Sequence, residues 1–550
     1  MSQWDEINSL LVNRGFKQVS GEAFVSYKGA LSVAGDSVSV TINFPDSDFL
    51  VNPEVLLNVR PSWVPGVCHH ITGSRNSVCY PGKMGDTMDR YSAAGHVEQI
   101  LRDTASLLQD IKSGNVTADI QDEFASYWSA NLLYIDHEEG AAGASLFMAD
   151  FTNDRGNATL VTTLNQRVNY DAVGLTEPTT WKRVSVTFAE LSDAPAIPPN
   201  VTWPPENLEQ ACKWLQQADK GGLRAIRKLL ESMYHDTHNR NGLLIFKTPR
   251  IWFGVLLILQ RTVNRKAYTK KNKFVDAVIY KLASSVKLHR FSLSRIDSTF
   301  LVERNLLNPN ASLINQRVLL VGCGTIGGFL AENLVRIGAG CGGGLLSIYD
   351  PDHVTAGIVG RHRLGLSSLG KEKALVLAAE IKRQFPFANV VGSATSALDS
   401  RNFSSFDLVI DATGHQPVSL KLNELYLAKE IKTLVFAWIL GNGQAVQTLV
   451  CADRKAGCLR CIDASGDSNS LMPISPSDVV TRVGRGCEAP YRPFAVSSSL
   501  HAVGLAIDAC INLMNGDKRN LLTTLGLDED IRRVKVKPLK KINRCPACSP

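Results

Sequence analysis

Apolar residues at Trp4, Ile7, Leu10 and Leu11 recur at helical spacing and predict a first helix. The stretch AFVSYKGALSVAGDSVSVTINFP then alternates apolar and polar positions as half-buried strands do, with Gly-Ala and Gly-Asp breaks between them. A loop rich in Pro and Trp runs from Pro61 to Pro81, and a helix from about Ala93 to Ile111 closes the unit. The pattern suits one α+β domain over residues 1–130. From Leu132 to Phe300 the signal is mixed. ASLFMADF, RVSVTFAEL and LLIFKTPRIWFGVLLIL read as strands, and a proline-rich link runs from Pro195 to Pro205, which predicts a mixed middle domain over 131–300. After Gln316 strand and helix alternate. QRVLLVGCG, LLSIYDPD, FDLVIDATG and TLVFAWIL read as buried strands, with helices over IGGFLAENLVRIGAG and KEKALVLAAEIKRQF. That order predicts a doubly wound, Rossmann-like sheet over 301–550, so the expected class is a multidomain protein with α/β and α+β parts.

Composition narrows the classes. A length of 550 residues suits about three domains, and an apolar fraction of 44% is ordinary for a globular chain. The net charge of +7 comes from 59 basic residues scattered among 52 acidic ones, with no dense basic stripe, so direct nucleic-acid binding is not expected. The most basic run, Arg532 to Arg544, reads as a solvated strand. The opening MSQWDEINSLL is amphipathic and acidic, unlike a signal peptide. The longest apolar run, Ile251 to Leu259, has about half the length that spans a bilayer. Twelve cysteines without an export signal point to a reducing, cytoplasmic setting in which thiols serve metal and catalysis.

Two of those thiol sets are paired. Cys458/Cys461 and Cys545/Cys548 are CxxC pairs, and four thiolates so spaced suit one tetrahedral Zn2+ that closes the intervening chain. Cys487 lies between the pairs in GRGCEAPYRPF, flanked by Arg482, Arg485 and Arg492, cations that favour a reactive thiolate. Cys323 and Cys341 read as structural, and Cys510, on LHAVGLAIDACINLM, as core.

Gly322, Gly324 and Gly327 form GxGxxG directly after a strand and before a helix, where backbone N–H groups can approach a phosphate. Asp350 ends the next strand, placed to accept from ribose hydroxyls, and Asp352 follows. This much fits an NAD site equally well. Arg361, Arg363, Lys371 and Lys373 tilt the balance, because several cations beside a helix N-terminus suit a triphosphate and its departing pyrophosphate.

The order of these motifs resembles the adenylation fold of the ThiF/MoeB and ubiquitin-activating-enzyme family. The family pattern of GxGxxG, D-x-D-x-V, Arg, G-x-x-K and a strand ending in Asp is matched by Gly322 to Gly327, Asp350 to Val354, Arg361, Gly370 to Lys373 and Asp411. The resemblance covers about Leu301 to Pro550 and implies ATP, Mg2+ and a catalytic cysteine at Cys487. Two positions depart from it. Ile358 stands where an Asn often precedes the Arg, and Asp411-Ala412-Thr413-Gly414-His415 replaces DxTDN. Gly414 has no side chain to hold magnesium, which leaves Asp411, His415 or another arrangement. Arg304 stands where dimers of the family send an arginine to the mate's ATP.

The N-terminal helix, meander, PSWVPGVCHHITGSRNSVCYP loop and closing helix resemble a ubiquitin-conjugating enzyme. In that family a His-Pro-Asn stretch precedes the acceptor cysteine. Here His69 and His70 precede Cys79 without Pro-Asn, so the resemblance implies Cys79 as acceptor and one histidine in place of the oxyanion-stabilising Asn, with Cys68 ranked below it. A conjugating and an activating domain in one chain are similar to the fusion enzyme of bacterial CBASS antiphage operons. That resemblance implies a homodimer that activates the C-terminus of a cGAS-like nucleotidyltransferase by adenylation. The acyl group would pass to Cys487 and to Cys79, then to an unidentified amine. The alternatives are an NAD-dependent Rossmann oxidoreductase, which leaves Lys373, the CxxC pairs and Cys487 without a role, and a non-catalytic binding scaffold.

Overall fold

The computed structural model describes residues 2–549 except 21–22, 65–67, 69, 73–75, 81–88, 115–123, 125–127, 130, 138–145, 154–155, 173, 177–179, 193–194, 196–200, 236–239, 250, 261–262, 264–266, 400–401, 465–473, 475–478, 483–490 and 529–533. The chain divides into two compact units, Met1–Asn131 with Ser185–Leu293 and Leu132–Val184 with Ser294–Pro550.

In the first unit, α1 (Gln3–Asn13) opens on a capping box in which Ser2 and Asp5 satisfy each other's backbone N–H, and it buries Ile7 and Leu11. Strands β1 (Lys17–Val19), β2 (Val25–Val33), β3 (Asp36–Phe44), β4 (Glu54–Leu57), β5 (Ile71–Thr72) and β6 (Ser77–Val78) form an antiparallel sheet in the order β1-β2-β3-β4-β6-β5. Helix α2 (Ala93–Ser113) shares its core through Val97, Ile100, Leu101 and Leu108. The expected Gly-Ala break is absent, because β2 runs straight through Gly29. A Cβ there would collide with the Phe16 ring, so the glycine accommodates an aromatic side chain rather than a turn. The turn falls at Ala34-Gly35, both at positive φ as a two-residue hairpin needs.

Residues 132–184 belong to the second unit. There β7 (Leu132–Asp136) pairs in parallel with β9 (Gly156–Thr163), and β9 pairs antiparallel with β8 (Leu146–Asn153). Helix α3 (Leu164–Ala172) follows, and β10 (Lys182–Glu190) begins against β8. From Ser185 onward β10 lies in the first unit, parallel to β11 (Asn241–Lys247). Helices α4 (Leu208–Ala218) and α5 (Lys220–His235) precede β11, and β12 (Trp252–Ile258), α6 (Lys271–Ala277) and β13 (Leu288–Arg295) follow it. LLIFKTPRIWFGVLLIL is thus the β11–β12 hairpin. Phe246 and Phe253, stacked across it, share a core with Trp128 and Trp214.

The rest of the second unit contains α7 (Ser298–Glu303), β14 (Arg317–Val321), α8 (Thr325–Arg336), β15 (Leu345–Tyr349), α9 (Lys373–Gln384), β16 (Val390–Ser393), β17 (Leu408–Asp411), α10 (Gln416–Leu427), β18 (Leu434–Leu440), β19 (Ala445–Cys451), α11 (Leu459–Ala464), α12 (Val496–Met514), β20 (Leu521–Gly526) and β21 (Val534–Pro538). Eight strands run in the order β16-β15-β14-β17-β18-β19-β20-β21. The first five are parallel and the last three extend them antiparallel. Strand order reverses between β14 and β17, and the carboxyl ends of strands at such a switch point frame a ligand crevice. Helix α12 is apolar and long enough to cross a membrane by composition, yet Ala502, Val503, Ala506 and Cys510 are buried in the core of this unit.

Candidate active sites

The glycine loop follows β14 at that switch point. A Cβ at Gly322, which has a φ of +83°, would stand 2.9 Å from the Thr413 backbone, and one at Gly327 would strike the Gly322 carbonyl. Those two glycines let the loop close on itself. Gly324 differs, because nothing lies within 4 Å of its Cβ position at the mouth of α8. An open backbone position at a helix N-terminus suits the approach of a phosphate.

Asp350, buried at the end of β15, accepts from the Cys323 N–H at 2.7 Å and the Asp352 N–H at 2.8 Å. It pins the loop, and each oxygen keeps a lone pair for a further donor. Lys373 begins α9 almost buried and donates to Asp352 at 2.9 Å, with two ammonium protons left for a ligand. Arg361 donates to the Arg492 carbonyl at 3.1 Å and covers the Phe494 ring at 4.3 Å. Its Nε is buried with no hydrogen-bond partner among the described residues, and burial pulls the guanidinium pKa down. A half-buried cation with an unmatched donor suits an anion. Arg363, which sequence groups with these cations, instead pairs with Glu332 at 2.8 Å and Glu380 at 3.3 Å, bracing α8 against α9.

Asp411, 2% exposed, ends β17. One oxygen accepts from the Thr413 N–H and hydroxyl at 2.9 and 2.7 Å, and the other from the Ser419 hydroxyl at 2.5 Å. Burial raises its pKa, outweighing the Ser419 and Thr413 hydrogen bonds. A buried carboxylate with neutral donors suits a cation, so the residues present fit magnesium near Asp411. His415 caps α10 nearby, exposed. With the folded pKa raised, the unfolded chain releases this proton first. The stability penalty is therefore absent below the unfolded pKa of about 3.8, grows as pH rises from there, and persists above the folded pKa. Asp411→Asn keeps the shape, since the Ser419 hydroxyl can turn to accept. It is expected to melt higher than wild type at pH 7, with the gap closing toward pH 4. ATP–pyrophosphate exchange should drop about a hundredfold or more. Scanning calorimetry and an exchange assay read the two effects.

Sequence reasoning missed His362. It is buried, its Nδ1 accepts from the Leu364 N–H at 2.9 Å, and so its Nε2 carries the proton donated to the Cys323 carbonyl at 2.8 Å. Burial lowers its pKa, with Lys373 adding to the effect, so the ring is a neutral brace behind the loop. Ser419 and Asn442 were missed too. Asn442 exchanges hydrogen bonds with Val480 at 2.7 and 2.8 Å and donates to the Pro493 carbonyl at 3.1 Å. Arg482 and Tyr491 bond each other's backbone, both at 2.9 Å. These contacts fasten the two ends of the segment that carries Cys487; Cys487 itself, like His69, lies outside the described residues.

The paired cysteines converge. The four Sγ atoms of Cys458, Cys461, Cys545 and Cys548 lie within 4.8 Å of one another, with contacts of 4.0, 3.9 and 3.5 Å. Zn–S bonds of about 2.3 Å put tetrahedral sulfurs roughly 3.8 Å apart, so the cluster could hold zinc. Asn520, 2% exposed, accepts from the Ala452 and Asp453 N–H groups and donates to the Asp453 and Gly457 carbonyls, fixing the turn before Cys458.

In the first unit, Cys79 follows β6 half-buried, and its N–H donates to the His70 carbonyl at 2.7 Å. The β5–β6 register, Ile71↔Val78, sets His70 across from Cys79, with His70 at a φ of 60°. Cys68 is 3% exposed, and burial pushes its thiol up to about 11, against the opposing effect of Arg60. A thiol so placed is a poor nucleophile at neutral pH. A cavity of about 520 Å3 beside α3 and the end of α9 touches none of these residues. Another, of about 330 Å3, reaches Asp411.

One chain thus carries a meander with a half-buried cysteine and a doubly wound sheet whose switch point holds a glycine loop. Residues 304–547 match the model of the ThiF family, and residues 2–132 match that of Prokaryotic E2 family B. It is 28% identical over 485 residues to the ATP-dependent ubiquitin transferase-like protein Cap2 of Pseudomonas aeruginosa, covering 88% of this chain and 86% of the relative. The Cap2 protein of Vibrio cholerae is 27% identical over 487 residues, with 82% and 80% covered. Among solved structures, Escherichia coli MccB with ATP matches at a TM-score of 0.33 and 16% identity, over 44% of this chain and 68% of that one. The protein is an enzyme of ATP-dependent ubiquitin-like conjugation.

Proposed function

We propose that the enzyme activates the C-terminus of a partner protein, a cGAS-like nucleotidyltransferase, and attaches it to an amine in bacterial CBASS antiphage defence. What carries the reading is the presence in one chain of the E2-like cysteine Cys79 and the adenylation-fold crevice of Gly324, Arg361, Lys373 and Asp411. Gly322, Gly327, Asp350 and Asp352 complete that crevice. The partner's terminal carboxylate attacks the α-phosphorus of ATP and pyrophosphate leaves. Lys373 and Arg361 hold the phosphates, and Asp350 and Asp352 fix the glycine loop and the lysine. Asp411, with His415 as the second candidate, would hold magnesium, which would supply neutralisation of the phosphate charge.

The Cys487 thiolate then attacks the acyl carbon and AMP leaves. Cys79 takes the acyl group by exchange, returning Cys487 to a thiolate. An amine of the target attacks the second thioester and Cys79 departs as a thiol. His70, set opposite Cys79, is placed to stabilise the oxyanion, with His69 as the alternative. Each exchange replaces one thioester by another, so ATP cleavage supplies the drive. The enzyme works as a cytoplasmic homodimer.

Purified protein is incubated with Mg-ATP and the nucleotidyltransferase encoded in the same operon, then run on non-reducing gels. Wild type is expected to show a thiol-sensitive adduct, Cys487→Ala none, and Cys79→Ala an adduct halted at Cys487. Loading of Cys79 in the Cys487→Ala variant would refute the relay.

A further inference from the structure

The cavity of about 330 Å3 that reaches Asp411 is lined by Asp411, Gly414, Gln416 and Ser419 together with a set of large apolar side chains. The apolar part is Leu420, Phe436, Trp438, Leu459 and Ile462, and Arg492 also lines the cavity. Two features show what enters. Strand β17 pairs with β18 only through Leu434–Phe436, while β18 continues to Leu440 paired with β19 on its other edge. Among the described residues, then, no strand lies beside Ala437–Leu440 on the β17 side, and an extended segment can add there by backbone hydrogen bonds. Trp438, Ile439 and Leu440, on this stretch, are only half-buried, unlike the first half of the strand. The volume lies at the small end for ligand sites and suits one or two side chains.

Resting on the adenylation reading above, we propose that this cavity receives a large apolar side chain, aromatic or branched aliphatic, from the residue just before the C-terminal residue of the activated protein. Asp411 marks the end of the cavity where the terminal carboxylate must react. In an extended chain neighbouring side chains point to opposite faces, so the penultimate one turns into the apolar wall. Arg492 supplies the cation that draws a terminal carboxylate toward the site. A tail ending in two glycines would leave Leu420 and Trp438 facing water.

The full-length protein is tested with twelve-residue Gly/Ser peptides ending in X-Gly with a free carboxylate. X is Leu, Phe, Gly or Asp, or photo-leucine for cross-linking without ATP. Photo-leucine is expected to label Leu420, Trp438 or Leu459 by mass spectrometry. Exchange of pyrophosphate should show kcat/KM about tenfold or more higher for Leu and Phe than for Gly. Leu420→Trp, which fills the cavity, should erase that ratio. Labelling elsewhere or nowhere, equal rates for Leu and Gly, or a ratio that survives Leu420→Trp would each overturn the inference. Labelling inside the cavity without exchange by any peptide, or by the partner protein, would sink the adenylation reading alone.

Discussion

Cys79→Ala in the full chain is expected to abolish transfer to the final amine, by at least about a thousandfold, while ATP–pyrophosphate exchange continues. The expectation rests on there being no substitute nucleophile close by among the described residues. Cys68 is the neighbouring thiol, but its burial holds it protonated at neutral pH, and no acyl carrier can reach a sulfur that is 3% exposed. Cys79 sits at the end of β6, where the strand releases the side chain while the bond to His70 fixes the backbone. Cys68→Ala should therefore keep conjugating. His70→Ala should slow release to the amine without slowing formation of the thioester, because an oxyanion donor acts on the tetrahedral intermediate. Conjugation timed against exchange separates these outcomes. Full conjugation by Cys79→Ala would remove the acceptor from this domain.

Purified protein is expected to carry one zinc per chain, and Cys545→Ser to carry almost none. The four thiols are not a surface ornament, since Cys458, Cys461 and Cys545 are buried in one core with Leu449, Phe436 and Leu522. Structural zinc contributes about 10–16 kcal/mol to small fingers at neutral pH, and here it would also relieve like-charge repulsion among packed thiolates. Without it, α11 and the chain end lose their mutual anchor, and Leu539, packed in the same core, loosens with them. The melting midpoint of Cys545→Ser should fall well below that of wild type, and a chelator should bring wild type toward the variant. Metal analysis beside calorimetry reads both. Four free thiols and no zinc in wild type would refute the assignment.

Much of the site was legible because its signals are local. A CxxC pair or GxGxxG is complete within a few residues, and the glycine loop, Asp350, Lys373 and Asp411 all stand at strand or helix ends that periodicity locates. The residues that escaped act through partners remote in the chain. His362 braces Cys323, 39 positions away, and Asn520 secures a turn 63 to 68 positions before it. Nothing near either residue marks that role. Gly29 was misread for the same reason: a glycine inside alternating residues looks like a break until the Phe16 ring is seen against it. Arg363 was grouped with the phosphate cations because spacing reveals charge but not which way a side chain turns.

The bridge between Arg482 and Tyr491, with Asn442 gripping both flanks, has an evolutionary side. A segment whose ends are already tied to the scaffold is a cassette. Lengthening it adds little closure entropy, and the ties at Asn442, Arg482 and Tyr491 need not register the change. The stretch between those ties can therefore change in length or sequence while the nucleotide crevice stays as it is.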